Sequence, residues 1–226
     1  MGATPVLPST EEEIWRYSRI DQLDLSAYAA GAVRTETIGA DAVRSEVSLA
    51  GAAIAQSPDV FAELNAQNGT VLSLRIPRGT VIETPIEIVH HLEADGVVAY
   101  PRLVIDAEEG SQVTVVERFV SPDGVKSLVV PVLEVKSSAA ANVNYVAINQ
   151  LGLSTWMIGH QQSVGHRDST TRLNTIALGG DYARVRAEVR LVEQGASAQQ
   201  LALYFASGTQ MHDFRTLQRH EAPRTH

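Results

Sequence analysis

Read from its residues, the chain is mainly β. The pattern predicts a β-solenoid preceded by a short helical N-terminal segment, and it also accommodates a large β-sandwich or barrel. Three observations lead there. Past Gly69, helical periodicity gives way to short β-rich runs that alternate with a period of two, punctuated by glycine and small polar residues. Four stretches, RGTVIETPIEI, EGSQVTVVERF, AANVNYVAINQ and QGASAQQLALYF, each begin on a small-residue turn and then alternate. Counted from Gly79, comparable starts fall at Gly110, Ala140 and Gly195, with a weaker one near Asp168. The step is about 27 to 31 residues, a spacing that marks stacked coils.

The elements follow in order, divided into residues 1–66, a lead and helical segment, and residues 67–226, the β core. Residues 1–10 form a lead with Pro5 and Pro8. Glu11, Glu12 and Glu13 complement the N-terminus of a short helix capped by Ser9 or Thr10. Trp15 and Tyr17 are the aromatic anchors that dock this lead on the core. Residues 57–67 carry the clearest helix signal: Ser57 as cap, Pro58 in the first helical position, Phe61 and Leu64 on one face. The strand runs are 71–77, 85–92, 102–107, 112–120, 127–135, 142–148, 154–159, 172–178, 183–192 and 198–205. Residues 203–223 hold about two further strand lengths of interleaved polar and apolar residues.

Composition narrows the function classes. Of 226 residues, 44% are hydrophobic, so a packed core is expected over most of the length. The formal charge is −8, and lysine occurs only at Lys126 and Lys136, a balance that argues against a nucleic-acid partner. Residues 11–66 carry ten acidic and four basic side chains, best read as a solvated surface. No run of 18 apolar residues suits a membrane span, and MGATPVLPSTEEE lacks the basic and apolar regions of a signal peptide. There is no cysteine, so no disulfide framework and no thiolate ligand; a cytoplasmic location is expected.

One line is informative as a motif. In LYFASGTQMHDFRTLQRHEAP, residues Tyr204, Gln210, His212, Asp213, Thr216, His220 and Pro223 resemble the signature of the SufB/SufD family of iron–sulfur cluster assembly scaffolds. Met211 stands between Gln210 and His212, which the family usually has adjacent. IPRGTVIETPIEIVHH, PRLVIDAEEGSQVTVVERF, the Asp168-Ser169, Gly179-Gly180 and Arg184 line, and EEEIWRY followed by LDL resemble other family lines in the same order. The resemblance implies a right-handed parallel β-helix between helical ends. It implies a non-enzymatic scaffold that pairs with a SufB-like paralogue and a SufC-like ATPase, or with itself as a homodimer. Having no cysteine, the chain is most like SufD. The resemblance implies no stably bound cofactor, with iron or an iron–sulfur cluster transient in the full complex. Family members continue past the point where this sequence reads HEAPRTH, so a C-terminally truncated chain is expected.

His212 and His220 are the candidate metal ligands, transient iron ligands in this reading, with Asp213 beside them. On a strand His212 and Asp213 face opposite sides, while His212 and His220 share a side if the strand is continuous, although a turn is expected between them. The alternative is that these histidines hydrogen-bond backbone at a coil corner. His90 and His91 are expected to split between a buried and an exposed face, without a shared metal. His160 and His166 fall near predicted turns, with no acidic companion at a ligand spacing. Glu83 and Glu117, read as exposed, are the carboxylates a polysaccharide-active β-helix enzyme or binding module would use, but aromatics are only 5%. No nucleotide-binding or nucleophile-elbow motif occurs, so the chain itself is not expected to hydrolyse ATP.

Overall fold

In the computed structural model, residues 5–45, 47–54 and 56–226 are described; the first four residues of the predicted lead lie outside the described residues. Short 3-10 turns at Glu13–Trp15, Ile20–Gln22 and Leu25–Ala27 open the chain. Two short strands follow, β1 (Ala29–Ala30) and β2 (Arg34–Ile38), then helix α1 (Val60–Asn68). The β core is β3 (Thr70–Ile76), β4 (Ile86–His91), β5 (Val97–Ala99), β6 (Pro101–Ala107), β7 (Gln112–Val120), β8 (Leu128–Val129), β9 (Val132–Ser137) and β10 (Asn142–Gln150). It continues through β11 (Trp156–Gly165), β12 (Thr170–Ala177), β13 (Tyr182–Leu191), β14 (Ser197–Tyr204) and β15 (Met211–His220).

The strands fall into two sheets. In the first, β3, β6, β9, β11, β13 and β15 pair in parallel, and β5 and β8 extend it alongside the first residues of β11. In the second, β4, β7, β10, β12 and β14 pair in parallel. Partners such as Trp156 and Tyr182, or Thr70 and Pro101, are separated by one circuit of the chain. Apart from β5–β6 and β8–β9, which stay in the first sheet, consecutive core strands cross from one sheet to the other, and none folds back on its neighbour as a hairpin. That is a parallel β-solenoid, and the sandwich or barrel alternative is excluded. Among the named strands, only β2 on β4 pairs antiparallel.

The turn that the sequence repeats is a physical stack. Gly79, Gly110, Ala140, Asp168, Gly195 and Arg224 all have positive φ, between 56° and 77°. Each N–H from Gly79 to Gly195 donates to a carbonyl one coil further along: Glu109, Ala139, Arg167, Gln194 and Arg224. Left-handed backbone favours glycine or a small polar residue, which is why the turn was visible as a run of small residues.

Proline explains a difference from prediction. The expected strand 127–135 is split into β8 and β9 because Pro131 between them has no N–H for the ladder. One coil on, Gly159 lies against this corner; a Cβ there would come 3.2 Å from Pro131 Cγ. The β11 strand runs straight through and is longer than expected, ending at Gly165.

The core sits between the sheets, with Leu74, Ile76, Ile86, Ile88, Leu103 and Ile105 at its centre. The two outer faces differ. The second sheet alternates buried with half-buried or exposed, as in the pattern of β7, so its outer face meets solvent. Strand β11 is buried at every position, because the N-terminal segment covers the outer face of the first sheet. Trp15 is 2% exposed, 5.6 Å from the Phe61 ring and 4.0 Å from the Arg184 guanidinium. Tyr17, expected as a second anchor, is 70% exposed and anchors nothing. Helix α1 is capped by Asp59, whose Oδ1 accepts from the Ala62 N–H, and begins at Val60; Ser57 and Pro58 precede it.

A buried clamp fixes this cover. Glu134, fully buried, accepts N–H bonds from Gly51, Ala53 and Ile54 at 2.9 Å each and pairs with Arg102. Arg102 also donates to Asn65 Oδ1, and Asn65 Nδ2 donates to the carbonyls of Pro101 and Val130. A charge with this many partners is tolerated where a bare one would not be.

Candidate functional site

Two polar groups stand out against the apolar interior, one inside the coils and one at the last coil. The first is built by strand alternation. Along β7, Val113, Val115, Glu117 and Phe119 point inward; along β4, Ile86, Ile88 and His90 do; along β10, Val143 and Tyr145 do. Stacking then sets His90, Glu117 and Tyr145 on successive coils. His90 Nε2 donates to Glu117 Oε1 at 2.8 Å, and Tyr145 O–H donates to Glu117 Oε2. Thr35 Oγ1 on β2 lies 2.9 Å from His90 Nδ1, and the Phe119 ring stacks on the imidazole at 5.1 Å. Burial, and then the neighbouring Glu117 carboxylate, pushes the Tyr145 phenol well above its ordinary value, so it stays a neutral donor.

Beside this chain lies a cavity of about 20 Å³, lined among others by Glu117, Tyr145, Asn149, Gln161 and Thr175. That is room for roughly one water. Gln161 Nε2 donates to Thr175 Oγ1, while Gln161 Oε1 and Asn149 Nδ2 have no partner in the protein. Glu117 is therefore a buried, hydrogen-bonded carboxylate, where an exposed one was expected. Glu83 is exposed and lies outside this group.

The second group is at β14 and β15. The strand is continuous from Met211 to His220, with no intervening turn. His212 faces inward and Asp213 outward, where Asp213 pairs with Arg184, itself bonded to the Ile14 carbonyl. His212 Nε2 donates to the Gly179 carbonyl at 3.1 Å. A carbonyl can only accept, so Nε2 carries a proton; Nδ1 is buried without a partner. The Tyr204 ring meets the imidazole edge-on at 6.2 Å. His220 is exposed at the strand end, with Nδ1 2.7 Å from Thr225 Oγ1. Eight residues of extended strand place the two histidines roughly 26 Å apart, too far to share one ion. Among the described residues, no group of three or more His, Cys, Asp or Glu side chains is arranged to hold a metal.

The remaining histidines also depart from expectation in part. His90 is buried and His91 half-buried beside Glu36, as alternation requires. His160 is not near a turn but inside β11 on the covered face, 4% exposed, with both ring nitrogens unpaired. Burial pushes its imidazole below the ordinary 6.5. His166 does have an acidic companion, Glu193 Oε1 at 3.0 Å, supplied by the next coil. Spacing along the chain could not show a neighbour one coil away.

Comparison with known proteins bears on what these groups serve. Residues 90–226 match a family described as "SUF system FeS cluster assembly, SufBD core domain". The chain is 28% identical over 228 residues to the iron-sulfur cluster assembly SufBD family protein Rv1462 of Mycobacterium tuberculosis, an alignment covering 96% of this chain and 56% of that protein. It is 27% identical over 230 residues to ML0594 of Mycobacterium leprae, covering 96% and 57%. A SufBD family protein of Staphylococcus epidermidis is 24% identical over 151 residues, covering 66% and 32%. The chain thus spans about half the length of the mycobacterial relatives it matches.

Proposed function

Because the chain belongs to the SufBD family of iron–sulfur cluster assembly proteins, we propose that it is a SufD-like scaffold subunit working in the cytoplasm. It pairs with a SufB-like paralogue and works with a SufC-like ATPase, and it performs no catalysis of its own. The observation that carries this reading is the family match over residues 90–226, the coils from the end of β4 to β15. The coils suit the role: continuous parallel ladders and a closed-packed interior hold surfaces in register without a moving part. With no cysteine, the chain supplies no thiolate to a cluster, and the sulfur chemistry falls to the paralogue.

Iron or a nascent cluster is cargo in this reading, bound in passing. His212 is the better ligand of the two proposed, since its Nδ1 has no partner in the protein; His220 is an exposed second contact. Co-expression with the paralogue and the ATPase, followed by purification through a tag on this chain, tests the partnership. Recovery of all three supports it; recovery of this chain alone at native expression levels overturns it. Ferrous iron titrated into wild type and His212→Ala tests the ligand, and equal binding removes His212 from the role.

A further inference from the structure

We propose that Thr35 is an acyl-acceptor site, its hydroxyl activated by His90 to take an acyl group from an ester or thioester of a short carboxylic acid. The modification is a single transfer, not turnover, and it stands apart from the scaffold role. Register makes the pairing: β2 runs antiparallel to β4 and sets Thr35 directly opposite His90. Thr35 Oγ1 lies 2.9 Å from His90 Nδ1, and His90 Nε2 lies 2.8 Å from Glu117 Oε1. A hydroxyl, an imidazole and a carboxylate in line are the parts of a base-activated nucleophile. With Nε2 donating to Glu117, the neutral imidazole has only Nδ1 left to accept, and the Thr35 O–H meets it. The ring is held in place from behind, since Tyr145 O–H donates to the other oxygen of Glu117 and Phe119 stacks on the imidazole at 5.1 Å.

Access differs along this line. Glu117 and His90 are 3% and 4% exposed, whereas Thr35 is open to solvent and borders a cleft of about 110 Å³. Val33, Leu72 and Leu103 give the cleft apolar walls that suit a short acyl chain. Arg44, Thr37 and Thr70 line it too, and they carry N–H and O–H donors of the kind that stabilise an oxyanion. Among the described residues lining the cleft there is no carboxylate to hold the divalent cation that a phosphoryl donor brings, so the lining favours acyl transfer.

In the step, Thr35 Oγ1 forms a bond to the acyl carbon while the bond from that carbon to the leaving oxygen or sulfur breaks. The hydroxyl proton passes to His90 Nδ1 and from there to the leaving group. Glu117 steadies the imidazolium in between and remains a carboxylate. The product is a threonine ester at residue 35 and a free alcohol or thiol, with no co-reactant beyond the donor.

The probe is para-nitrophenyl acetate, read by nitrophenolate absorbance and by peptide mass mapping. Lysine occurs only at Lys126 and Lys136, so background acetylation is readily placed. The expected result is an acetyl group on Thr35, gained ~100-fold or more faster than on Thr209, an exposed threonine in the turn between β14 and β15. Thr35→Ala should remove the adduct, Thr35→Ser should keep it, and His90→Gln should slow it to the rate at Thr209, with circular dichroism on every variant to check the fold. The comparison with Thr209 is made inside the wild-type protein, so it holds even where His90→Gln fails to fold. Acetylation of Thr35 no faster than of Thr209 overturns the proposal, as does a rate at Thr35 that a folded His90→Gln leaves unchanged.

Discussion

Replacing Glu134 by alanine should be among the most damaging single changes the fold can suffer. The carboxylate has no solvent exposure, binds three backbone N–H groups of residues 51–54, and neutralises Arg102, which is 6% exposed. Its removal leaves a buried guanidinium unpaired and three amides unsatisfied. Breaking a buried ion pair from one side costs about 3–5 kcal/mol. For a chain of this size that corresponds to a melting temperature lower by roughly 6–20 °C. Arg102→Met is the control: Glu134 keeps its three N–H donors, so the loss should be smaller. Calorimetry and denaturant unfolding measure both, and limited proteolysis should show residues 51–54 cut faster in Glu134→Ala. A loss under ~1 kcal/mol, or a larger loss for Arg102→Met, would refute the idea that Glu134 holds the N-terminal cover to the coils.

Other substitutions test the turn stack and the interior. Ala140→Gly should raise stability by about 0.5–1 kcal/mol, because Ala140 sits at φ 57° in a conformation glycine adopts freely. Gly195→Ala should lower stability, since φ is 77° and a Cβ would come 2.0 Å from Asp168 Oδ1; denaturant midpoints check both. Tyr145→Phe removes one of the donors to Glu117 and should cost about 1–3 kcal/mol of unfolding free energy. Acid should weaken the covered face through His160, which is faced by Asp59, Glu188, Arg186 and Gln162. Its folded value is depressed, so the contribution is complete above the ordinary 6.5 and is lost as pH falls through the lower folded value. His160→Gln should flatten that part of the stability profile; an unchanged acid slope would remove His160 as its source.

Much of the architecture is legible in the sequence, and the reasons are specific. The starts at Gly79, Gly110, Ala140, Asp168 and Gly195 showed because each occupies a left-handed turn that selects small or short polar residues. Arg224 occupies the same position without that signature, so the sequence does not mark it. The second half of β11, HQQSVG, was missed because it is covered on both faces, which erases the alternation of a half-buried strand. Glu117 shares its parity with Val113, Val115 and Phe119, so the signal for its burial lies in the alternation. Its contacts with His90 and Tyr145 needed the coil step as well, since the three lie 27 and 28 residues apart. Helix α1 is capped by Asp59; Ser57, two residues earlier, is an equally suitable cap type, and the sequence pattern alone does not distinguish them. His212 and His220 were seen as a pair, but a strand with no turn sets them at opposite ends.

Reconstitution of cluster assembly tests the central claim most directly. A SufB-like paralogue and a SufC-like ATPase, supplied with ferrous iron, a sulfur source and ATP, are followed by the visible absorbance of the cluster, with and without this chain. The account predicts that the chain raises the rate or yield while forming no cluster and hydrolysing no ATP alone. Assembly that proceeds identically in its absence, or turnover by the isolated chain, would contradict it.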